Sequence, residues 1–285
     1  MAAIELNTKC SIHIRCNSLP SAPHPIVSQF EEHLDRLKSS EEALSSSTIS
    51  HKLSALQDLH DCTDKLLQLS CAKQALARDH CNELLEGSLM LLDIFSIAKD
   101  ILLQSKESLM ELESFVRRRR GGEIAFTVEV GKYLASRKKV KKATQKSLRN
   151  LKATKNEFSK ADKETFSLIG ILKEAEAITV SSSQSLLMFI SDPNGQSRQS
   201  KFLIISKLMQ PKRVACNSEK SDINEFGKVD ATLNSLISHK SSPVENFRKD
   251  MENLEMCIQD LEDRIESLSR QLIRTRVSLL NIINN

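Results

Sequence analysis

The chain has 285 residues, 40% of them hydrophobic, so it is long enough for one large or two ordinary domains with a buried core. Only 7 Gly and 6 Pro interrupt it, and it contains 10 Phe, one Tyr and no Trp. This composition predicts helices over more than half of the chain, because straight-chain residues lose little rotamer freedom in a helix. The formal net charge is +4, but residues 114–152 hold 13 Lys or Arg and two acidic residues, which leaves −7 for the remainder.

No stretch of the sequence fits a transmembrane helix, which needs about 20 mainly apolar residues. The uncharged run Ala177–Ser191 has only 15 residues. A secretory signal is also disfavoured, because Glu5, Lys9 and Arg15 interrupt the N-terminal segment. We therefore expect a cytoplasmic protein, while peripheral membrane, nuclear and chloroplast locations stay open.

The residue types that usually act in catalysis or metal binding form no known motif in this sequence. The seven cysteines are widely spaced and predict reduced thiols. Cys10, His13 and Cys16 are potential metal ligands, but the second pair that zinc sites use is missing. The sequence contains no phosphate-binding, nucleophile or metalloprotease motif. We therefore expect no enzyme activity, no metal and no cofactor.

The N-terminal part divides into a leader and the first helices. Residues 1–25 contain "SLPSAPHP", with three of the six prolines, and predict a flexible leader, because proline lacks the N–H that a helix needs. From Ile26 to Leu44, apolar residues recur with spacings of three and four, which predicts a helix. The "SSST" of residues 45–48 offers a break and an N-cap before a second helical stripe, which begins at Ile49.

The central part predicts two long helices. Residues 89–116 are apolar on more than one face and predict the most buried helix. Arg117–Arg120 and Gly121–Gly122 are typical of its C-terminal end, since cations complement the helix dipole and Gly forms a left-handed cap. A second long helix is predicted over residues 123–190, and "SDPNG" ends it. A short amphipathic helix and a loop are expected within residues 191–222.

The C-terminal part carries the clearest pattern. Residues 223–285 predict two helices, separated by "SSP" at Ser241–Pro243. Between Val244 and Ile282, eleven of twelve heptad a and d positions are apolar, which predicts coiled-coil-like packing. The other helices also have apolar stripes to bury, which favours packing within the chain over a homodimer. The predicted fold is an all-α, elongated multi-helix bundle that forms a single domain over residues 26–285.

The basic block of residues 132–152 has the pattern of one solvent-exposed helix face. On a helical wheel, Tyr133, Val140, Leu148 and Leu151 form an apolar stripe, and most of the charges fill the opposite arc. The sequence thus predicts a candidate docking surface with these members: Arg137, Lys138, Lys139, Lys141, Lys142, Lys146, Arg149 and Lys152.

Several interpretations of this surface compete. In one interpretation, the surface has no binding role: it is exposed to solvent and forms salt bridges with acidic side chains from the rest of the chain. Anionic lipid would attract it by ~1 kcal/mol for each basic residue, although the arc contains no large apolar anchor. A nuclear address is a further alternative. Nucleic acid is disfavoured because Tyr133, the one aromatic residue between Lys132 and Lys155, faces the buried side.

A second candidate lies in the leader. In "RCNSLP", Arg15 precedes Ser18 by three residues and Pro20 follows it by two. This pattern suits a kinase site whose phosphoserine is bound by the Arg cluster of a 14-3-3-type reader. A chance match in a Ser-rich chain is the alternative. A peptide phosphorylated at Ser18 should bind such a reader, and a Ser18→Ala peptide should not.

Several stretches together resemble the plant BYPASS-like family. They are "CNSLPSAPHP" (16–25), "VRRRRGGE" (116–123), "YLASRKKVKKATQKSLRNLK" (133–152), "SKLMQPKRVAC" (206–216) and the closing heptad helix. The resemblance implies a helical plant protein connected with root and shoot development, and it supplies no catalytic residues. We therefore predict a non-enzymatic regulatory or interaction protein. The alternative is a peripheral membrane-associated protein that docks on anionic lipid through residues 137–152.

Overall fold

The computed structural model describes residues 15–16, 19–23, 25–39, 45–76, 78–118, 123–158, 168–191, 223–238 and 244–284. Apart from a short strand pair within residues 15–23, these residues form an all-α bundle, which confirms the predicted fold class. The helices within them are α1 (Pro25–Ser39), α2 (Ser46–Gln68), α3 (Ser70–Ala75), α4 (Arg78–Arg118), α5 (Glu123–Phe158), α6 (Leu168–Ser191), α7 (Glu225–Ile237) and α8 (Val244–Asn284).

The leader contains one short strand pair. Strand β1 (Arg15–Cys16) pairs antiparallel with β2 (Leu19–Pro23). The backbone of these strands is extended, as expected for a segment that contains several prolines. The pairing of the two strands was not predicted. Helix α1 then begins at Pro25, because the missing N–H of proline costs nothing at a first helical position.

The two longest helices, α4 and α8, have 41 residues each and run antiparallel. Lys106 Nζ lies 2.8 Å from Glu262 Oε2, and Lys99 Nζ lies 3.6 Å from Glu266 Oε2. Helix α2 runs parallel to α8 on its other side, since Ser50 Oγ donates to Asp260 and Ser278 Oγ donates to Asp64. A 41-residue helix is about 60 Å long, so the bundle is elongated.

The heptad stripe of α8 forms much of the core. Every predicted a and d position from Phe247 to Ile282 is buried, including the one polar member, Thr275. These side chains pack against α2 and α4 of the same chain. The stripe is therefore satisfied within the bundle, as expected. Coiled-coil geometry stays a prediction, and a homodimer stays the less favoured alternative.

The predicted single helix over residues 123–190 is wrong, because α5 and α6 are separate helices that pack against each other. Arg137 Nη2 of α5 donates to the carbonyl of Ile190 in α6 at 3.0 Å. In one straight helix these residues would lie about 80 Å apart. Residues 159–167, between the two helices, lie outside the described residues. The sequence missed the separation of the two helices because both have apolar stripes of the same period.

Local capping agrees with the sequence where it is described. Ser45 is the N-cap of α2, and its Oγ accepts a hydrogen bond from the N–H of Thr48 at 3.1 Å. At the end of α4, Arg118 Nε donates to the carbonyl of Ser114, as expected for a cation at a helix C-terminus. The predicted Gly121–Gly122 cap lies outside the described residues, as do residues 192–222, where the short helix and the loop were expected.

Candidate functional site

The outer side of α5 presents a row of exposed cations. We define the basic face as Lys138, Lys139, Lys141, Lys142, Lys146 and Arg149, all exposed. The side chain of Lys152, the last predicted member, is outside the described part of the structure. On the inner side, Tyr133, Val140, Leu148 and Leu151 are buried, as the helical wheel predicted.

The basic face is not neutralised by the described part of the chain. None of its six cations lies within ion-pair distance of a described carboxylate, although ion pairs such as Lys106–Glu262 and Lys173–Glu83 join other helices. The salt bridges to the acidic remainder, which would have made this a merely solvated face, are absent between described residues. At longer range, Lys141 also acts to lower the pKa of the partly buried Asp230 carboxylate. The basic face thus has no ion pair to a described residue, although one of its cations acts on a described carboxylate.

Arg137 does not belong to this surface, which corrects the sequence prediction. It is only 8% exposed, and its guanidinium lies over the ring of Phe226 in α7, 4.6 Å from the centroid. Its Nε lies 3.4 Å from Asp230 Oδ2. A helical wheel could have found this, because it places Arg137 about 60° from Val140, inside the apolar stripe.

The cluster around Arg137 joins three helices. Arg137 Nη2 binds the carbonyl of Ile190, and Asn224 Nδ2 binds the carbonyl of Phe189 at 2.7 Å. Two of the orphan carbonyls at the end of α6 are thereby satisfied. The Oδ1 atom of Asn224 also accepts from the N–H of Gly227 and caps α7. The cluster fixes the end of α6 and the start of α7 against the inner side of α5.

The electrostatics of this cluster are governed by burial. Burial raises the pKa of Asp230 above its ordinary value, and the guanidinium of Arg137 offsets only part of that rise. Burial also raises the pKa of Tyr133, with the Asp230 carboxylate adding to the effect. Arg137 Nη1 is buried without a hydrogen-bond partner. The cluster joins α5 to α6 and α7, and we interpret it as a structural anchor for α5.

A second buried polar group, around His60 and Glu176, was not predicted. It surrounds a cavity of about 20 Å³, which has room for about one water, between α2, α4, α6 and α8. Burial lowers the pKa of His60 to about 4 and raises the pKa of Glu176 to about 8. Burial therefore favours the neutral form of both groups at pH 7. The sequence signal was Glu176 itself, an acidic residue inside the apolar stripe of α6.

The hydrogen bonds of His60 define its tautomer. The hydroxyl of Thr179 donates its one proton to the carbonyl of Ala175 at 2.7 Å. His60 Nε2, 3.0 Å from the same oxygen, must therefore donate to it. His60 Nδ1 is left as a buried acceptor without a partner. The Nε2 side of this imidazole is thus satisfied by Thr179, and we interpret His60 as a core residue.

The remaining predicted site residues are only partly described. Arg15 and Pro20 lie in β1 and β2, while Ser18 lies outside the described residues, so the phosphoserine motif stays a prediction. Cys10 and His13 also lie outside them. Across the described ranges, no group of three His, Cys, Asp or Glu could hold a metal ion. None of the described helices is long and apolar enough to cross a membrane.

A family model described as Protein BPS1 matches residues 52–282. The chain belongs to the BPS1 family. This membership agrees with the resemblance to BYPASS-like proteins and makes it a protein related to plant development. No curated protein and no solved structure matches the chain.

The BPS1 match covers each of the clusters described above. The basic face, the Arg137 cluster and the His60–Glu176 cavity all lie between residues 52 and 282. The leader motif at Arg15, Ser18 and Pro20 lies outside the matched region. The candidate sites on α5 and in the core are therefore parts of the BPS1 domain itself.

Proposed function

We propose that this BPS1-family protein acts in root and shoot development as a non-enzymatic interaction protein, and that the basic face of α5 is its recognition surface. The observation that carries the proposal is the row of six exposed cations without an ion-pair partner among the described residues. A polyanionic partner matches such a surface.

The spacing of the cations supports a binding role. Lys138 and Lys142, and Lys142 and Lys146, lie four residues apart on the same side of α5. Like charges at this spacing destabilise a helix by ~0.2–0.5 kcal/mol for each pair. The helix nevertheless holds these charges in place, because its inner side is buried and anchored by Arg137. An anionic partner would relieve the repulsion without requiring α5 to fold on binding.

The surroundings of the basic face disfavour nucleic acid as the partner. Single-stranded binders stack bases on exposed aromatic rings. Tyr133, the aromatic residue nearest to the basic face along α5, is only 3% exposed and points to the core. The phosphoserine reader proposed for Ser18 is a separate protein partner, which would act on the leader rather than on α5.

The proposal is tested by a tagged pull-down from plant tissue. The test variant is Lys138→Glu/Lys139→Glu/Lys141→Glu/Lys142→Glu. We expect it to lose partners that the wild-type protein retains, and we expect raised salt to release the same partners from the wild type.

A matched control variant distinguishes the effect of losing cations on α5 from the effect of a lower net charge. Lys73→Glu/Arg248→Glu/Lys249→Glu/Arg274→Glu changes the charge by the same amount at four exposed sites outside α5. We expect this control to capture the wild-type set. If the α5 variant also captures the wild-type set, the basic face is not the recognition surface.

A further inference from the structure

The basic face continues into an exposed apolar stretch at the start of α5. Ile124 is 84% exposed, the highest value among the exposed large apolar side chains of the described residues, and Val128 is 55% exposed. Gly131 and Ala135, which follow on the same side, are also exposed. A Cβ at Gly131 would meet nothing within 4 Å. This end of α5 therefore presents an uncovered, smooth apolar surface.

The apolar stretch and the basic face share one line along the helix. Eighteen residues make five full turns of an α-helix. Ile124 therefore points in the direction of Lys142, and Val128 points in the direction of Lys146. Gly131 has the same relation to Arg149. The outer line of α5 is thus apolar over its first three turns and basic over the next four, with a total length of about 38 Å.

We infer that this outer line of α5 docks on the surface of an anionic lipid bilayer, with Ile124 and Val128 entering the interface and the basic face contacting the headgroups. The inference rests on the proposed function and names its partner class. A helix binds at a bilayer interface through the apolar area that it inserts and through the attraction of its cations to anionic lipid. Both are present here on one helix.

The shape and charge around the two apolar residues match a bilayer. Residues on one side of an α-helix lie along one ridge, and the exposed side chains of the outer line therefore face the same way. Arg118 at the end of α4 and Lys132 in α5 are exposed before and after Ile124 and Val128 in sequence. Lys132 also forms an ion pair with Glu129, so of these two cations it is Arg118 that has no ion pair to a described residue. The Arg137 cluster holds α5 from behind, so docking requires no rearrangement of the bundle.

The first experiment is co-sedimentation of the purified full chain with vesicles at about 0.15 M salt. We expect binding to vesicles that contain phosphatidylserine and not to pure phosphatidylcholine vesicles. Ile124→Gln/Val128→Gln should lower the partition coefficient about tenfold. The fourfold Glu variant of the basic face should lower it by at least about a hundredfold.

Two controls use exposed positions outside α5. Leu103→Gln/Met110→Gln removes two apolar side chains of α4 that are 49% and 54% exposed. The variant with Glu at Lys73, Arg248, Lys249 and Arg274 repeats the charge change. Both controls should bind like the wild type, and circular dichroism should show the same helix content for every variant.

The second experiment uses the absence of Trp from the chain. Ile124→Trp places a single indole on the apolar stretch, and Leu103→Trp places one on α4. We expect phosphatidylserine vesicles to shift the emission of the first variant to the blue and brominated lipid to quench it. The second variant should not respond.

The possible outcomes separate this inference from the proposed function. The membrane inference is overturned if the protein does not bind anionic vesicles. It is also overturned if Ile124→Gln/Val128→Gln leaves that binding unchanged. If a protein partner is at the same time captured through the basic face, the proposed function stands with a protein as partner. If both the vesicle and the pull-down experiments fail, the proposed function falls as well.

Discussion

Replacing Glu176 with Gln should stabilise the folded protein, and the gain should grow as the pH rises. Burial raises the pKa of Glu176 from its ordinary value of 4.5 to about 8, with Lys173 opposing and Glu83 adding to the rise. Between these two pH values the folded state holds a proton that the unfolded chain has lost. Stability therefore falls as the pH rises through this window and stays level above it.

The magnitude follows from the width of the window. At 1.36 kcal/mol for each pH unit, the carboxyl costs at most about 5 kcal/mol of stability at pH 8 and above. Gln has nearly the same shape and does not titrate. The difference between Glu176→Gln and the wild type should therefore be small near pH 4.5 and reach several kcal/mol at pH 9. His60 titrates in both proteins, so its contribution cancels.

The assay is urea unfolding at pH 5, 7 and 9, followed by far-UV circular dichroism. Glu107→Gln, a substitution at an exposed position of α4, is the matched control and should show no such trend. A gain for Glu176→Gln that is equal at all three pH values would refute the reasoning. It would mean that the carboxyl is already hydrated in the folded protein.

Two further predictions concern the buried polar groups. A Cβ at Gly87 would lie 2.5 Å from Glu176 Oε1, so Gly87→Ala should push the carboxyl out of its site. The pH dependence contributed by Glu176 should then shrink in the same urea assay, whereas a slope equal to that of the wild type would contradict this contact. Arg137→Met keeps an apolar stem but leaves Asp230 unpaired, and should cost about 3 kcal/mol in thermal unfolding. Adding Asp230→Asn should recover part of the loss, and a neutral Arg137→Met would show that the ion pair is dispensable.

The local pattern of the sequence predicted the helices and their inner sides well. The a and d positions of α8 and the apolar stripe of α5 are all buried where the structure describes them. This succeeds because the period of 3.6 residues is a property of the helix itself, and burial follows the apolar residues. The N-cap at Ser45 was also predictable, because its hydrogen bond joins residues only three positions apart.

Predictions that depended on a distant partner failed. The chain reverses between α5 and α6, where the sequence pattern predicted one helix. Arg137 was assigned to the exposed surface, although Phe226 and Asp230 of α7 bury it. Charge in a sequence shows that a residue is costly to bury, but it does not show whether a partner far along the chain offsets that cost.

The sequence by itself therefore determined an all-α bundle, the buried stripe of α8 and the outward direction of six cations on α5. Only the tertiary structure shows that those cations form no ion pair with a described residue, and that Arg137 anchors α5 on its inner side. It also shows that His60 and Glu176 line the same cavity. The reason is physical. Periodicity fixes which side of a helix is buried, whereas charge pairing and burial depend on which other helix lies against that side.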